Sequence, residues 1–147
     1  MAKVLKQFTV RQLKEPTDTK LGGDIEWLCN SLGFVSARDQ DKTAFKIMRE
    51  LIRAARHGHG MTSEEISRKV APTQGAVIYH LKKFMKAGLV VKLGSMYELR
   101  MNSLYTTIGE IEKDMHVAMG NIKALAQEID GRIGLDSRSL EEARDLF

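Results

Sequence analysis

The chain holds a single cysteine, Cys29, among 147 residues, and only two prolines, Pro16 and Pro72. One thiol excludes an internal disulfide and suits a reducing compartment. No apolar run approaches the ~18 residues that a membrane-spanning helix needs. The opening MAKVLKQFTVRQLKE lacks the apolar stretch and small-residue cleavage site of a secretory leader, so a cytoplasmic location is expected. Aromatic residues make up 6% of the chain, which leaves few rings on which single-stranded bases could stack. Catalytic signatures are missing as well. There is no glycine-rich nucleotide loop, no H-E-x-x-H, no G-x-S-x-G and no pair of acids placed to share a cleft, so an enzyme is not expected.

What the chain does have is an uneven distribution of charge beneath its net +4. Residues 1–41 carry six basic and six acidic side chains, residues 42–100 twelve and four, and residues 101–147 five and nine. A strongly basic middle suits a surface that displaces counterions from phosphates. Taken alone, it fits an ordinary solvated face equally well.

Residues 1–21 follow neither period. Val4, Phe8 and Val10 fit no clean helix or strand, and Pro16 breaks a helix. Gly22-Gly23 reads as a boundary, after which Asp24 caps a helix with Ile25, Leu28, Cys29 and Leu32 on one face and Gly33 as its stop. On that face Cys29 reads as buried filler. Beyond Asp41 a longer helix runs to about Arg56. Its stripe of Phe45, Met48, Ile52 and Ala55 is widened by Ala44, Ile47 and Leu51, which implies contacts on two sides. His57-Gly58-His59-Gly60 is a loop.

The most informative stretch follows, Thr62 to Val90: TSEEISRKVAPTQGAVIYHLKKFMKAGLV. Thr62 and Glu65 form a capping box that starts a short helix with Ile66 and Val70 turned inward, and Ala71-Pro72 ends it. Thr73 caps the next helix, Gln74 to Ala87, with Gly88 as its stop. Val77, Leu81 and Phe84 form its core face. Leu89–Leu93 and Met96–Arg100 read as a hairpin around Gly94-Ser95. A two-residue turn pairs Leu93 with Met96 and Val91 with Glu98. A three-residue loop pairs Lys92 with Met96 and gathers Leu89, Val91, Tyr97 and Leu99 on one face. The second register separates apolar from polar residues better and is the expected one. From Ser103 a long helix begins, with Leu104, Ile108, Ile111, Met115, Ala118, Ile122, Leu125 and Ile129 in a heptad seam widened by Met119 and Ala126. Packing onto its own domain would cover this seam. Pairing with a second copy is the favoured alternative, which makes these eight the candidate dimerisation residues. Ser139 and Glu142 form a further capping box, for a short terminal helix with Leu140, Ala143 and Leu146.

The run Gln74-x-x-Val77-x-x-His80-Leu81-Lys82-x-Phe84-x-x-Ala87-Gly88-Leu89-Val90 resembles the recognition helix and first wing strand of ArsR-type winged helix-turn-helix transcriptional regulators. Glu65 to Val70 fits the helix before it, and the resemblance extends from Asp41 to about Arg100. It implies a mainly α fold with a short two-stranded wing and a long C-terminal dimerisation helix. The domain plan becomes an N-terminal extension with one helix (1–40), a DNA-binding domain (41–100), a dimerisation helix (101–134) and a short tail (135–147). It further implies a homodimer on double-stranded DNA, with residues 74–87 of each copy in the major groove and half-sites about one turn apart. Thr73 and the free N–H groups beside it suit a phosphate, and Gln74 suits adenine. Tyr79 can hydrogen-bond or stack, and Lys82, Lys83 and Lys86 suit phosphates. Gly75 and Ile78 stand where the family often has hydroxyl residues, and Ile78 could touch a thymine methyl. Lys92 extends the candidate DNA-binding set onto the wing, whose tip is uncharged.

The competing reading is a winged-helix interaction or assembly module without DNA binding, which an uncharged wing tip also fits. Metal sensing is not indicated. His57-x-His59 has no third ligand beside it, and Asp114-x-His116 is followed by Gln127-x-x-Asp130, in which Gln127 is a poor transition-metal ligand. His80, next to Leu81, reads as structural. No cofactor and no small-molecule or metal effector is assigned.

Overall fold

The computed structural model describes residues 2–16, 20–34, 42–70 and 73–135. Among the described residues, five helices and three strands run in the order α1 (Leu21–Ser31), α2 (Thr43–Arg56), β1 (Met61–Thr62), α3 (Ser63–Val70), α4 (Gln74–Lys86), β2 (Val90–Leu93), β3 (Met96–Leu99) and α5 (Leu104–Ile133). They fall into two compact units, Met1–Ile111 and Glu112–Phe147, with the boundary inside α5. Asp41, the Ala71-Pro72 break and the terminal helix expected around Ser139 lie outside the described residues. None of the described helices is long and apolar enough to cross a membrane.

The first unit is built around α2. Its Ala44, Ile47, Met48, Leu51 and Ala54 are at most 4% exposed. The core positions are mainly those expected only to widen the stripe, while Phe45, Ile52 and Ala55 are half-buried. The contacts on several sides are as expected, since α1, α3, α4 and β3 all pack against this helix. Glu50 is also buried, and the Arg53 guanidinium meets its carboxylate at 3.0 Å. The capping box is in place. Thr62 Oγ1 accepts from the Glu65 backbone N–H at 3.1 Å, and Glu65 Oε1 accepts from the Thr62 hydroxyl at 3.1 Å. Ile66 and Val70 turn inward from α3, and Val77, Leu81 and Phe84 from α4, into the same core.

The sheet departs from expectation twice. It has three strands in the order β1-β3-β2, not two. Met61 and Thr62 pair with Tyr97 and Met96. This is possible because Gly60 has no side chain: a Cβ there would lie 2.7 Å from the Tyr97 carbonyl oxygen. The hairpin also takes the two-residue turn, pairing Leu93 with Met96, Lys92 with Tyr97, Val91 with Glu98 and Val90 with Leu99. The expected pairing of Lys92 with Met96 is therefore wrong. Gly94 adopts φ 62° while Ser95 does not share a positive φ, the glycine-first pattern of a type II′ hairpin turn. Val90, Tyr97 and Leu99 share the buried face. Lys92 falls on it too, with its ammonium 5.5 Å from the Tyr97 ring centre. An amphipathic lysine over a ring removes the polar conflict that the other register was expected to avoid.

Helix α1 begins at Leu21, so Gly22-Gly23 lies inside its first turn and is not a boundary. Ile25 and Cys29 are buried, and burial, with the nearby Glu26 carboxylate, pushes the Cys29 thiol up to about 12. Residues 2–16 form no regular helix or strand. In α5 the first turns are anchored in the first unit. Ser103 caps the helix through the Thr106 backbone N–H at 3.0 Å, and Thr107 (0% exposed) accepts from the Met101 N–H at 3.1 Å.

Candidate nucleic-acid interface

Helix α4 divides sharply between two faces. Val77, Leu81 and Phe84 are fully buried, and the Phe84 ring meets Phe34 edge-on at 4.8 Å. Opposite them, Gly75, Tyr79, Lys82 and Lys86 follow helical spacing along one exposed stripe, flanked by exposed Gln74 and Lys83 and by half-buried Ile78. No acidic side chain interrupts this helix. The Lys83 ammonium sits 4.6 Å from the centre of the Tyr79 ring, and Tyr79 meets His80 edge-on at 5.3 Å. Lys83 and Tyr79 lie one turn apart, so this cation–π contact was available from spacing alone.

The start of α4 is held by side-chain hydrogen bonds. Thr73 is its N-cap, with Oγ1 accepting from the Ala76 N–H at 3.2 Å. Gln74 Nε2 donates to Ser63 Oγ at 2.9 Å, a contact that joins the first residues of α3 and α4. One amide N–H and the carbonyl oxygen of Gln74 stay available, the pair that a bidentate contact to adenine uses. Sequence reading missed Ser63, and nothing local marks it. Gly75 adds no bulk beside them, and a Cβ there would meet only Thr73 Oγ1 at 4.0 Å. The nine expected contact residues thus do not form a single patch. Eight lie on or beside the exposed side of α4. Lys92 stands apart on the wing, leaning on Tyr97, and the wing tip shows exposed Leu93 where a charge is absent.

Residues 41–92 match the family model described as bacterial regulatory protein, arsR family. Over that span the chain is similar to an arsR-family regulator domain. The match runs from the approach to α2 into β2, so it contains the whole exposed stripe of α4. It supports DNA-binding transcription regulation. No curated protein and no solved structure matches the chain. Residues 2–34 and α5 lie beyond the matched span.

Elsewhere the expected residues are scattered. The seam on α5 does not behave uniformly. Ile111 is 5% exposed within its own chain and Leu104 and Ile108 are half-buried, whereas Ile122, Leu125 and Ile129 are 62%, 59% and 48% exposed. Met115 and Ala118 lie between these extremes. His57 and His59 stack at 6.3 Å, and His59 Nδ1 donates to the Gly60 carbonyl at 2.9 Å. A cleft of about 410 Å³ beside them is lined by Arg53, Arg56, Lys69 and Glu65. Among the described residues no group of three or more His, Cys, Asp or Glu is placed to hold a metal ion.

Proposed function

We propose that this protein regulates transcription as a homodimer that lays α4 of each copy in the major groove of double-stranded DNA. One observation carries the reading: the helix that buries Val77, Leu81 and Phe84 turns an acid-free, lysine-bearing face to solvent. Lys82, Lys83 and Lys86 then neutralise phosphates, and the resulting counterion release drives binding to any duplex. Gln74, whose side-chain amide is oriented by its bond to Ser63, reads base edges with its remaining N–H and carbonyl, with Thr73 and the free N–H groups at the helix start on a neighbouring phosphate. Tyr79 and Ile78 contact the groove wall, Gly75 allows close approach, and Lys92 adds a phosphate contact from the wing.

Dimerisation proceeds through the part of α5 whose apolar seam is exposed among the described residues. Ile122, Leu125 and Ile129 are its centre, with Met115 and Ala118 before them. Ile111, Ile108 and Leu104 anchor the helix in its own unit. Two recognition helices related by a twofold axis would read half-sites about one helical turn apart.

Selection of duplexes from a random-sequence pool, followed by gel-shift titration over a salt series, tests the reading. Affinity is expected to fall steeply with salt. Gln74→Ala should flatten discrimination among sequences, by about 1–3 kcal/mol at one base position, while Lys82→Ala should weaken every duplex alike and reduce the salt slope by about 1. Duplex binding that neither substitution changes would remove α4 from the interface. A protein that ignores duplexes at low salt and instead co-purifies with a defined partner would favour the assembly reading.

A further inference from the structure

The last four carbonyls of an α-helix find no donor within it. In α4 these belong to Lys83, Phe84, Met85 and Lys86. Three are met by the chain that follows: Ala87 N–H donates to Lys83 at 3.1 Å, Leu89 to Phe84 at 3.0 Å and Gly88 to Met85 at 3.0 Å. The fourth donor comes from the opposite end of the sequence. The Gln7 backbone N–H meets the Lys86 carbonyl at 3.1 Å, completing the cap. Two further ties hold the same segment down. Arg11 N–H donates to the Ser31 carbonyl at 2.7 Å, and Trp27 Nε1 donates to the Lys14 carbonyl at 2.7 Å. The N-terminal segment is therefore an arm laid across α1 and the C-terminal end of α4, pinned at Gln7, Arg11 and Lys14.

The arm is basic. Residues 2–16 contain Lys3, Lys6, Arg11 and Lys14 against the single acid Glu15, and all five are exposed. The peptide that caps α4 joins Lys6 to Gln7, so Lys6 lies beside the last turn of α4, which carries Lys83 and Lys86. A shallow cleft of about 150 Å³ is shared by Gln7, Thr9, Lys83 and Lys86. Lys3 lies three residues before Lys6, no more than about 10 Å along an extended chain.

We propose that this arm is part of the DNA-binding surface. Lys3 and Lys6 continue the cationic stripe of α4 past its C-terminus onto neighbouring phosphates, adding affinity without sequence preference. The proposal rests on the reading of α4 as the DNA-contacting helix. The bond from Gln7 to Lys86 sets the register of the arm on that helix and gives the lysines a fixed place, which lowers the ordering cost of their contacts.

The test uses the full chain and a mixed-sequence duplex longer than one helical turn, titrated over a salt series. The double variant Lys3→Gln/Lys6→Gln should lower the magnitude of the slope of log affinity against log salt by ~1.8, at ~0.9 for each phosphate no longer neutralised. Two unrelated duplexes should lose affinity equally, and the melting temperature should stay unchanged. Gln7→Pro keeps every lysine but removes the N–H that docks the arm, and it should reproduce part of the slope change. A parental slope in the double variant, while Lys82→Ala still weakens binding, overturns the arm proposal and leaves α4 in place. An affinity loss matched by a lower melting temperature overturns it too, because the arm would then act on the fold alone. No duplex binding by the parent removes both proposals together.

Discussion

Helix α2 and the second half of α5 carry similar apolar stripes and meet different fates. In α2 the stripe is covered within the chain, down to 0% exposure at Ile47 and Met48. In α5 the stripe continues past Ile111 with Ile122, Leu125 and Ile129 about half exposed or more, and with Met119 at 55%. Periodicity alone does not separate the two cases. It says that a face is fit for burial and is silent on what buries it. For α2 the cover is α1, α3, α4 and β3. For α5 residues 112–133 a second copy is the proposed cover. An apolar face of that size left in water is uncommon on a lone protein.

The comparison can be broken most directly at α2. Leu51→Ala removes a side chain that is 1% exposed, on a helix against which four elements pack. It should cost about 2–5 kcal/mol in denaturant unfolding, since the surrounding core closes only partly over the cavity. A cost near that of an exposed substitution would mean that the cover over α2 is loose.

At α5 the same logic predicts an effect on assembly and not on the core. The pair Ile122→Asp and Leu125→Asp places two charges where the proposed seam must be dry, and self-association should weaken on the order of a hundredfold or more. Light scattering on a sizing column should report a particle of half the parental mass, and melting should lose its dependence on protein concentration. A variant that keeps the parental mass would show that this stripe is not the dimer contact.

The smallest effect sharpens the cover that α1 provides. Cys29 of α1 is buried, with its thiol held well above its ordinary value of 9.0, at about 12, by that burial. A raised folded value contributes stability that is complete below pH ~9 and is lost as pH rises toward the folded value. Relative to Cys29→Ala, the parent should therefore lose on the order of 1 kcal/mol between pH 8.5 and 10, read from chemical denaturation at each pH. Parallel pH profiles for the two proteins would mean that the thiol is in contact with water.

Much of the fold was legible before any coordinates. The Thr62–Glu65 box, the Thr73 cap, the core face of α4 and the start of α5 after Ser103 all stand as read. The exposed residues of α4 were legible too, because a helix with one buried face has its remaining positions assigned by geometry. Three things were not. The register of β2 and β3 went to the less apolar-segregated choice, because a positive φ at Gly94 and the docking of Met61 on Tyr97 outweigh the position of one lysine. Strand β1 was hidden by its two-residue length. The arm gave no periodic signal, since its backbone bonds go to helix ends and not to a neighbouring strand.

What the chain determined by itself is whatever depends on neighbours three or four residues away: caps, stops, helical faces and the separation of lysines from the core. Those interactions form within one turn and need no distant partner. The tertiary structure alone decided which edge β3 offers to β1, that Ser63 holds Gln74, and that Gln7 completes the cap of α4. Each joins groups that local periodicity does not relate, and each exists because a backbone or amide group must find a partner wherever packing brings one within reach.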